Sequence, residues 1–275
     1  LNKHLAWKLG QEYYDGNRNN GYGGFKYDGR WLQLLPKIIK KYKLTNKSKV
    51  LDLGCKKGFI MKDLKILLPK SKVWGIEDHI YPIKNAEKEI KPNIILSKYY
   101  KIPFKDNYFD LVIGFSSIYK YNFEDVVKII KEIQRVSKKS FFTVASYSSK
   151  KEKEVFDNWT LLGTTILSKK DWNKLFNILG YKGDYYYTTA KSLNLYWHFI
   201  NLLYLTIMLF ETKAIKKYWE NLESKTSAPK NVSKVSIINF EDLKKSCKEK
   251  NEFYIKSLIK KMYNGNAFII RNAAK

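Results

Sequence analysis

Cysteine, histidine and arginine are scarce in this chain of 275 residues. Cys55 and Cys247 are too few for a disulfide framework, and their spacing fits no metal motif. His4, His79 and His198 are scattered, and neither HExxH nor CxxC occurs, so no metal site is expected. The only arginines are Arg18, Arg30, Arg135 and Arg271, so lysine carries nearly all of the formal net charge of +26. Base readout and bidentate phosphate contacts favour arginine, which argues against nucleic acid as the partner. An AT-rich genome produces such a lysine- and asparagine-rich chain without functional pressure. The opening LNKHLAWKLGQEYY lacks the apolar stretch and cleavage site of a signal peptide, so a cytoplasmic location is expected. The chain opens on Leu1, which fits residues missing upstream or an unusual start codon.

What is present is a packed α/β pattern. Hydrophobic residues make up 44% and aromatic residues 16%, enough for a sizeable core. Strands are expected at 49–54, 72–77, 93–96, 108–115, 140–147 and 184–189, with helices at 58–68, around 82–88, from Asn122 onward, and at 171–180. Asn122 suits an N-cap with Asp125 at the capping-box position, and Val126, Ile129, Ile130, Ile133 and Val136 fall on one face. Near-continuous apolar strands alternating with amphipathic helices imply a parallel sheet covered on both faces, a Rossmann-like doubly wound architecture. Residues 1–47 hold two helices around the glycine-rich GYGGFKYDGR. Residues 48–190 form the core, 191–264 read as helical, and 265–275 return to strand character.

Ligands of doubly wound sheets sit at the carboxyl ends of the strands, so the loop of KVLDLGCKKGFI after the first strand is the place to look. Gly54 and Gly58 lack side chains, and the next helix offers its positive end. The dinucleotide spacing GxGxxG is absent, and so is a Walker loop. Asp52, just before the glycine turn, suits a ligand with an amino group better than a pyrophosphate. Glu77 ends the next strand, where a carboxylate can accept from ribose hydroxyls.

VLDLGCKKG resembles the first motif, D/E-x-G-x-G-x-G, of class I S-adenosylmethionine-dependent methyltransferases. VWGIED resembles their ribose-binding strand, and IPFKDNYFDLVIGF their LPF-x-D-x-x-FD-x-V segment. NGYGGFKYDGRW and GYKGDYYY extend the likeness to a bacterial subgroup associated with surface-polysaccharide or small-metabolite pathways. The resemblance implies S-adenosylmethionine as cofactor, with Asp52 holding the methionine amino group and Glu77 the ribose diol. It further implies backbone approach at Gly54, Cys55 and Gly58, and Asp78, Tyr99 and Ser116 as cofactor neighbours. Lys98 departs from the pattern, because it stands where an acceptor for the adenine amino group is usual and lysine only donates.

The resemblance implies methyl transfer to a small or sugar-like acceptor, since GFSSIYKY lacks the motifs of nucleobase methyltransferases. Such transfer needs in-line approach and exclusion of water. Tyr119, His79 and Tyr147 near strand ends are the candidates for removing a proton. Tyr22, Tyr27 and Arg30 belong to a segment that reads equally as a lid over the cleft or as a turn-rich connector. SLNLYWHFINLLYLTIMLF, residues 192–210, carries no charge, and peripheral membrane contact is one reading of it. Asn194, His198 and Asn201 give its first half a polar stripe, so a helix covering the core or lying in an interface is expected ahead of a span. NAFIIRN (266–272) is expected to close the sheet as a final antiparallel strand, with 191–264 as an insertion before it.

Overall fold

The computed structural model describes residues 2–195, 235–239 and 267–271. The chain divides into two units, Leu1–Leu195 and Tyr196–Lys275.

In the first unit, β1 (Lys49–Leu53), β2 (Lys72–Glu77), β3 (Ile94–Leu96), β4 (Leu111–Gly114), β5 (Ser140–Tyr147), β6 (Leu167–Ser168) and β7 (Asp184–Thr188) form one seven-stranded sheet. Its order is β3-β2-β1-β4-β5, with β6 and β7 both pairing β5 along different stretches, and every pairing is parallel. Such a sheet needs cover on both faces, which explains why Val50, Leu51 and Leu53 of β1 are all fully buried.

The helices follow the capping and periodicity rules. α6 (Phe123–Val136) starts where the Asn122 side chain accepts from the Asp125 backbone N–H, and its five expected apolar positions are completely buried. α4 (Phe59–Leu67) follows the loop after β1, and α5 (Ile80–Lys84) follows β2. α8 (Lys169–Ile178) is capped by Ser168. In α3 (Leu35–Tyr42), Pro36 lies in the first turn, where its missing N–H costs nothing. The short α1 (Asn2–Trp7) and α2 (Gln11–Tyr14) precede it, and α7 (Lys150–Trp159) follows β5.

The final strand differs from expectation. Ala267–Arg271, here β9, pairs in parallel with β8, Val235–Asn239, in a separate two-stranded sheet. β7 bonds directly to β5 over five residue pairs, which leaves no gap between them for an antiparallel strand. VSIIN at 235–239 also breaks the helical character expected of 191–264. Most of the 192–210 run lies outside the described residues. Among the described residues, no helix is long and apolar enough to cross a membrane.

Candidate cofactor and active site

Two sharp turns face each other at the carboxyl edge of the sheet. After β1, Gly54 adopts φ +79°, and a β-carbon there would lie 2.5 Å from Ser117 Cβ and 3.0 Å from the Tyr99 hydroxyl. Lys56 also takes a left-handed φ of +55°, and after β4 Ser116 does the same at +49°. Side chains rarely adopt this conformation, and such strain collects at functional sites. The Lys56 ammonium bridges the turns, donating to the Phe115 carbonyl at 3.2 Å and the Gly54 carbonyl at 3.5 Å.

Three acids stand beside this bridge, in three different states. Asp52 is buried, and neither of its carboxylate oxygens has a hydrogen-bond partner. Burial pushes its pKa up to about 7, against the pull of Lys56 and with help from Glu77. Glu77 is buried too, and burial raises its pKa although Lys120 opposes the shift. Its oxygens accept from the backbone N–H groups of Lys56 at 2.9 Å and Asp78 at 3.0 Å, with the Tyr99 hydroxyl 3.3 Å from both. Asp78 is held below the ordinary carboxylate range in spite of burial, because Lys120 and Tyr121 each donate to it at 2.5 Å. Burial also opposes the charge on Lys56, yet Tyr22, Glu77 and Asp52 outweigh it and hold the ammonium above its usual value.

Gly54, Lys56, Glu77, Tyr99, Ser116 and Tyr119 line one cavity, closed on the other side by Leu9, Tyr13 and Tyr14. Its volume is ≈ 20 Å³, room for about one water. A second cavity of ≈ 40 Å³ adjoins it through Ser116 and Tyr119 and runs over the ends of β5 and β7. Phe156, Trp159, Ala145 and Leu193 make it mainly apolar, with Thr143 and Thr188 adding hydroxyls.

The N-terminal segment is pinned over this edge. Lys57 Nζ, nearly buried, contacts Asp15 at 2.7 Å and donates to the Phe25 carbonyl at 2.9 Å, while the Tyr81 hydroxyl donates to Asp15 at 2.8 Å. Tyr14, Tyr22 and Phe25 stack into one aromatic group that reaches Phe59 and Tyr81. The loop carrying Tyr99 is clamped from behind, since Arg135 donates to the Ile102 and Phe104 carbonyls and Glu132 accepts from the Ile102 N–H.

Several residues singled out in the sequence lie elsewhere. The Cys55 thiol is buried, its pKa driven up by burial, and an added β-carbon on Gly75 would lie 2.5 Å from its sulfur. Gly58 (φ +78°) packs against Ile90. His79 accepts from the Tyr81 N–H as the cap of α5, and burial lowers its pKa. Tyr147 lines neither cavity and has the Lys153 ammonium 5.9 Å from its ring centre. Tyr27 donates to Asp63 at 2.5 Å, and Arg30 pairs with Asp28 at the surface. Lys98 reaches Asp78 only at 3.9 Å. The residues with no forewarning in the sequence are Lys56, Lys120 and the Lys57–Asp15 pair.

The carboxyl edge of this 3-2-1-4-5 parallel sheet, with Asp52 one residue before the end of β1 and Glu77 ending β2, is where a Rossmann-like domain places its ligand. Residues 51–142 match the family model described as methyltransferase domain. Demethylmenaquinone methyltransferase of Thermotoga maritima is 29% identical over 119 residues, covering 42% of this chain. The chain spans about half (48%) of that relative's length. Among solved structures, a SAM-dependent methyltransferase from Aquifex aeolicus is 23% identical, covering 41% of this chain and 68% of its own, with a TM-score of 0.32. YcgJ protein from Bacillus subtilis is 17% identical, covering 55% of this chain and 68% of its own, with a TM-score of 0.45.

The residues present fit the family's cofactor in their chemistry. An unpartnered buried carboxylate is a receptor for an ammonium, and a carboxylate at the end of β2 can accept from hydroxyls. What opposes entry is the long Lys56 side chain across the cleft.

Proposed function

We propose that this chain transfers a methyl group from S-adenosylmethionine to a small acceptor with an apolar face. The observation that carries it is the unpartnered, buried Asp52 carboxylate inside the matched methyltransferase domain. When bound, the cofactor supplies an electrophilic methyl group on its sulfonium. Asp52 would hold the methionine ammonium, and Glu77 has lone pairs left over for the ribose hydroxyls. The Lys57–Asp15 pin and the aromatic group of Tyr14, Tyr22 and Phe25 would keep bulk water from the reacting centre.

Tyr119 faces both cavities and so would meet cofactor and acceptor alike. Burial first, and then Tyr22, raise its pKa well above the phenol range, so it remains protonated at neutral pH. In that state it would orient an acceptor by hydrogen bonding. Orientation suffices for in-line displacement at a sulfonium. The mostly apolar lining of the second cavity favours an apolar acceptor over a sugar, whose hydroxyls would each need a partner. The Thermotoga relative, named for a demethylmenaquinone, agrees with that preference.

Titration calorimetry with S-adenosylhomocysteine tests the assignment. Asp52→Ala and Glu77→Ala should each weaken binding by ~1–3 kcal/mol, roughly 5- to 150-fold. Wild-type affinity in both variants would refute it.

A further inference from the structure

We infer that Lys56 is a built-in competitor for the cofactor, its ammonium filling the place in the cleft that a ligand's own ammonium must take. The inference rests on the methyltransferase reading above and adds a selecting residue to it.

The positive groups that the cleft can receive are limited by its acceptors. Gly54 and Phe115 present carbonyls from the turns after β1 and β4, and both already accept from Lys56 Nζ, at 3.5 and 3.2 Å. Asp52 lies on β1 in register with Ile113 of β4, and it has no hydrogen-bond partner. Asp52 itself lines neither cavity, and the two carbonyls lie two residues beyond Asp52 and Ile113, so a ligand ammonium reaching for Asp52 has to pass the turns that Lys56 holds. Two like charges cannot share this buried spot, because their repulsion is strong where water is excluded. The cavity of ≈ 20 Å³ left beside the side chain is too small for a nucleoside with an amino-acid tail. Binding is accordingly an exchange of one ammonium for another, and the lysine stem must swing out.

The backbone supports the same conclusion. Lys56 sits at φ +55°, where a β-carbon is strained and glycine is not. Its N–H nevertheless donates to Glu77 at 2.9 Å, so the loop is held in this shape by the acid that ends β2. Glycine at this position would keep the loop, relieve the strain and empty the cleft.

Calorimetry with S-adenosylhomocysteine on the full chain decides the matter. Lys56→Gly should bind tenfold or more tightly than wild type. Lys56→Met keeps the β-carbon and most of the stem without the charge, and it too should bind more tightly, by a smaller factor. As a second readout, reductive methylation with formaldehyde and borohydride should spare Lys56 in the free protein and modify it once S-adenosylhomocysteine is added. If wild type binds through Asp52 and neither Lys56 variant gains affinity, the competitor is refuted while the methyltransferase reading stands. Weaker binding in both variants would refute it as well, because Lys56 would then be a ligand-holding residue. Absence of binding in every variant would refute both.

Discussion

Asp52 makes a sharp prediction about how stability changes with pH. Its carboxyl is buried without a hydrogen-bond partner and titrates near 7 in the folded chain, against an ordinary value of 3.8. The unfolded chain loses this proton first. From about pH 4 to about pH 7 the folded state therefore binds more protons, and stability falls as pH rises. Stability tied to this group is fully present below the unfolded value and is lost as pH climbs through the folded one. Between about pH 5 and about pH 8 the loss works out at roughly 2–3 kcal/mol, because a tenfold difference in proton affinity is worth about 1.4 kcal/mol.

Asp52→Asn removes the titration while keeping the shape. Urea unfolding of both proteins across that range should show a steeper fall for wild type, with the two curves diverging by ~2 kcal/mol or more by about pH 8. The slope is the readout, because the buried amide shifts the absolute stability of the variant by its own, pH-independent amount. Glu77, whose pKa burial also raises, contributes a fall of the same sign in both proteins and largely cancels in the difference. Parallel curves would show that Asp52 ionises normally in the folded chain, and the physical account of the site would fail.

The Lys57–Asp15 contact is a nearly buried pair that ties the N-terminal segment to the loop after β1, so Lys57→Met should loosen residues 8–25 by ~1–3 kcal/mol. Hydrogen exchange should speed up there and stay slow in β1 and β4; unchanged protection of 8–25 would refute the pin. Every strand of the main sheet lies before Leu195, so a chain ending at Leu195 should unfold cooperatively and bind S-adenosylhomocysteine as the full chain does. Loss of the folded state would show that the sheet depends on residues 196–275.

The parts of the fold written into local sequence are those where one force dominates. β1 and β2 begin where their apolar runs predict, because burial on both faces demands such runs. α6 starts at Asn122 and buries all five predicted positions, because cap and periodicity agree. α7 is hidden in the sequence: KKEKEVFDNW offers only Val155, Phe156 and Trp159 as apolar residues, and of these only Phe156 is fully packed. β6 is two residues long, too short for any period to show. The pairing of Ala267–Arg271 with Val235–Asn239 is a choice between partners, which periodicity cannot make. In the site, Asp52 and Glu77 are legible because their place at strand ends is local. The lysines are not. Lys98 stands out by its position, yet Lys120, 21 residues beyond Tyr99, is the cation that meets Asp78.

Charge pairing separates the acids of the cleft by availability. Asp78 accepts from Lys120 and Tyr121 at 2.5 Å each, so a ligand would have to break strong charge-assisted contacts to use it. Glu77 accepts from two backbone N–H groups and from the Tyr99 hydroxyl at 3.3 Å, and a carboxylate still has a lone pair for a further neutral hydroxyl. Asp52 alone among the three has made no hydrogen bond, and its burial leaves it near half-protonated at neutral pH. A neutral carboxyl has little hold on an ammonium, whereas a carboxylate brought out of its proton by that ammonium has a strong one. Cation capture at Asp52 should therefore release close to half a proton near pH 7, and more at lower pH. Lys56 restrains this gain, since its own charge already pulls the Asp52 pKa down. The same ammonium that occupies the cleft thus also sets how much a second ammonium can win by replacing it.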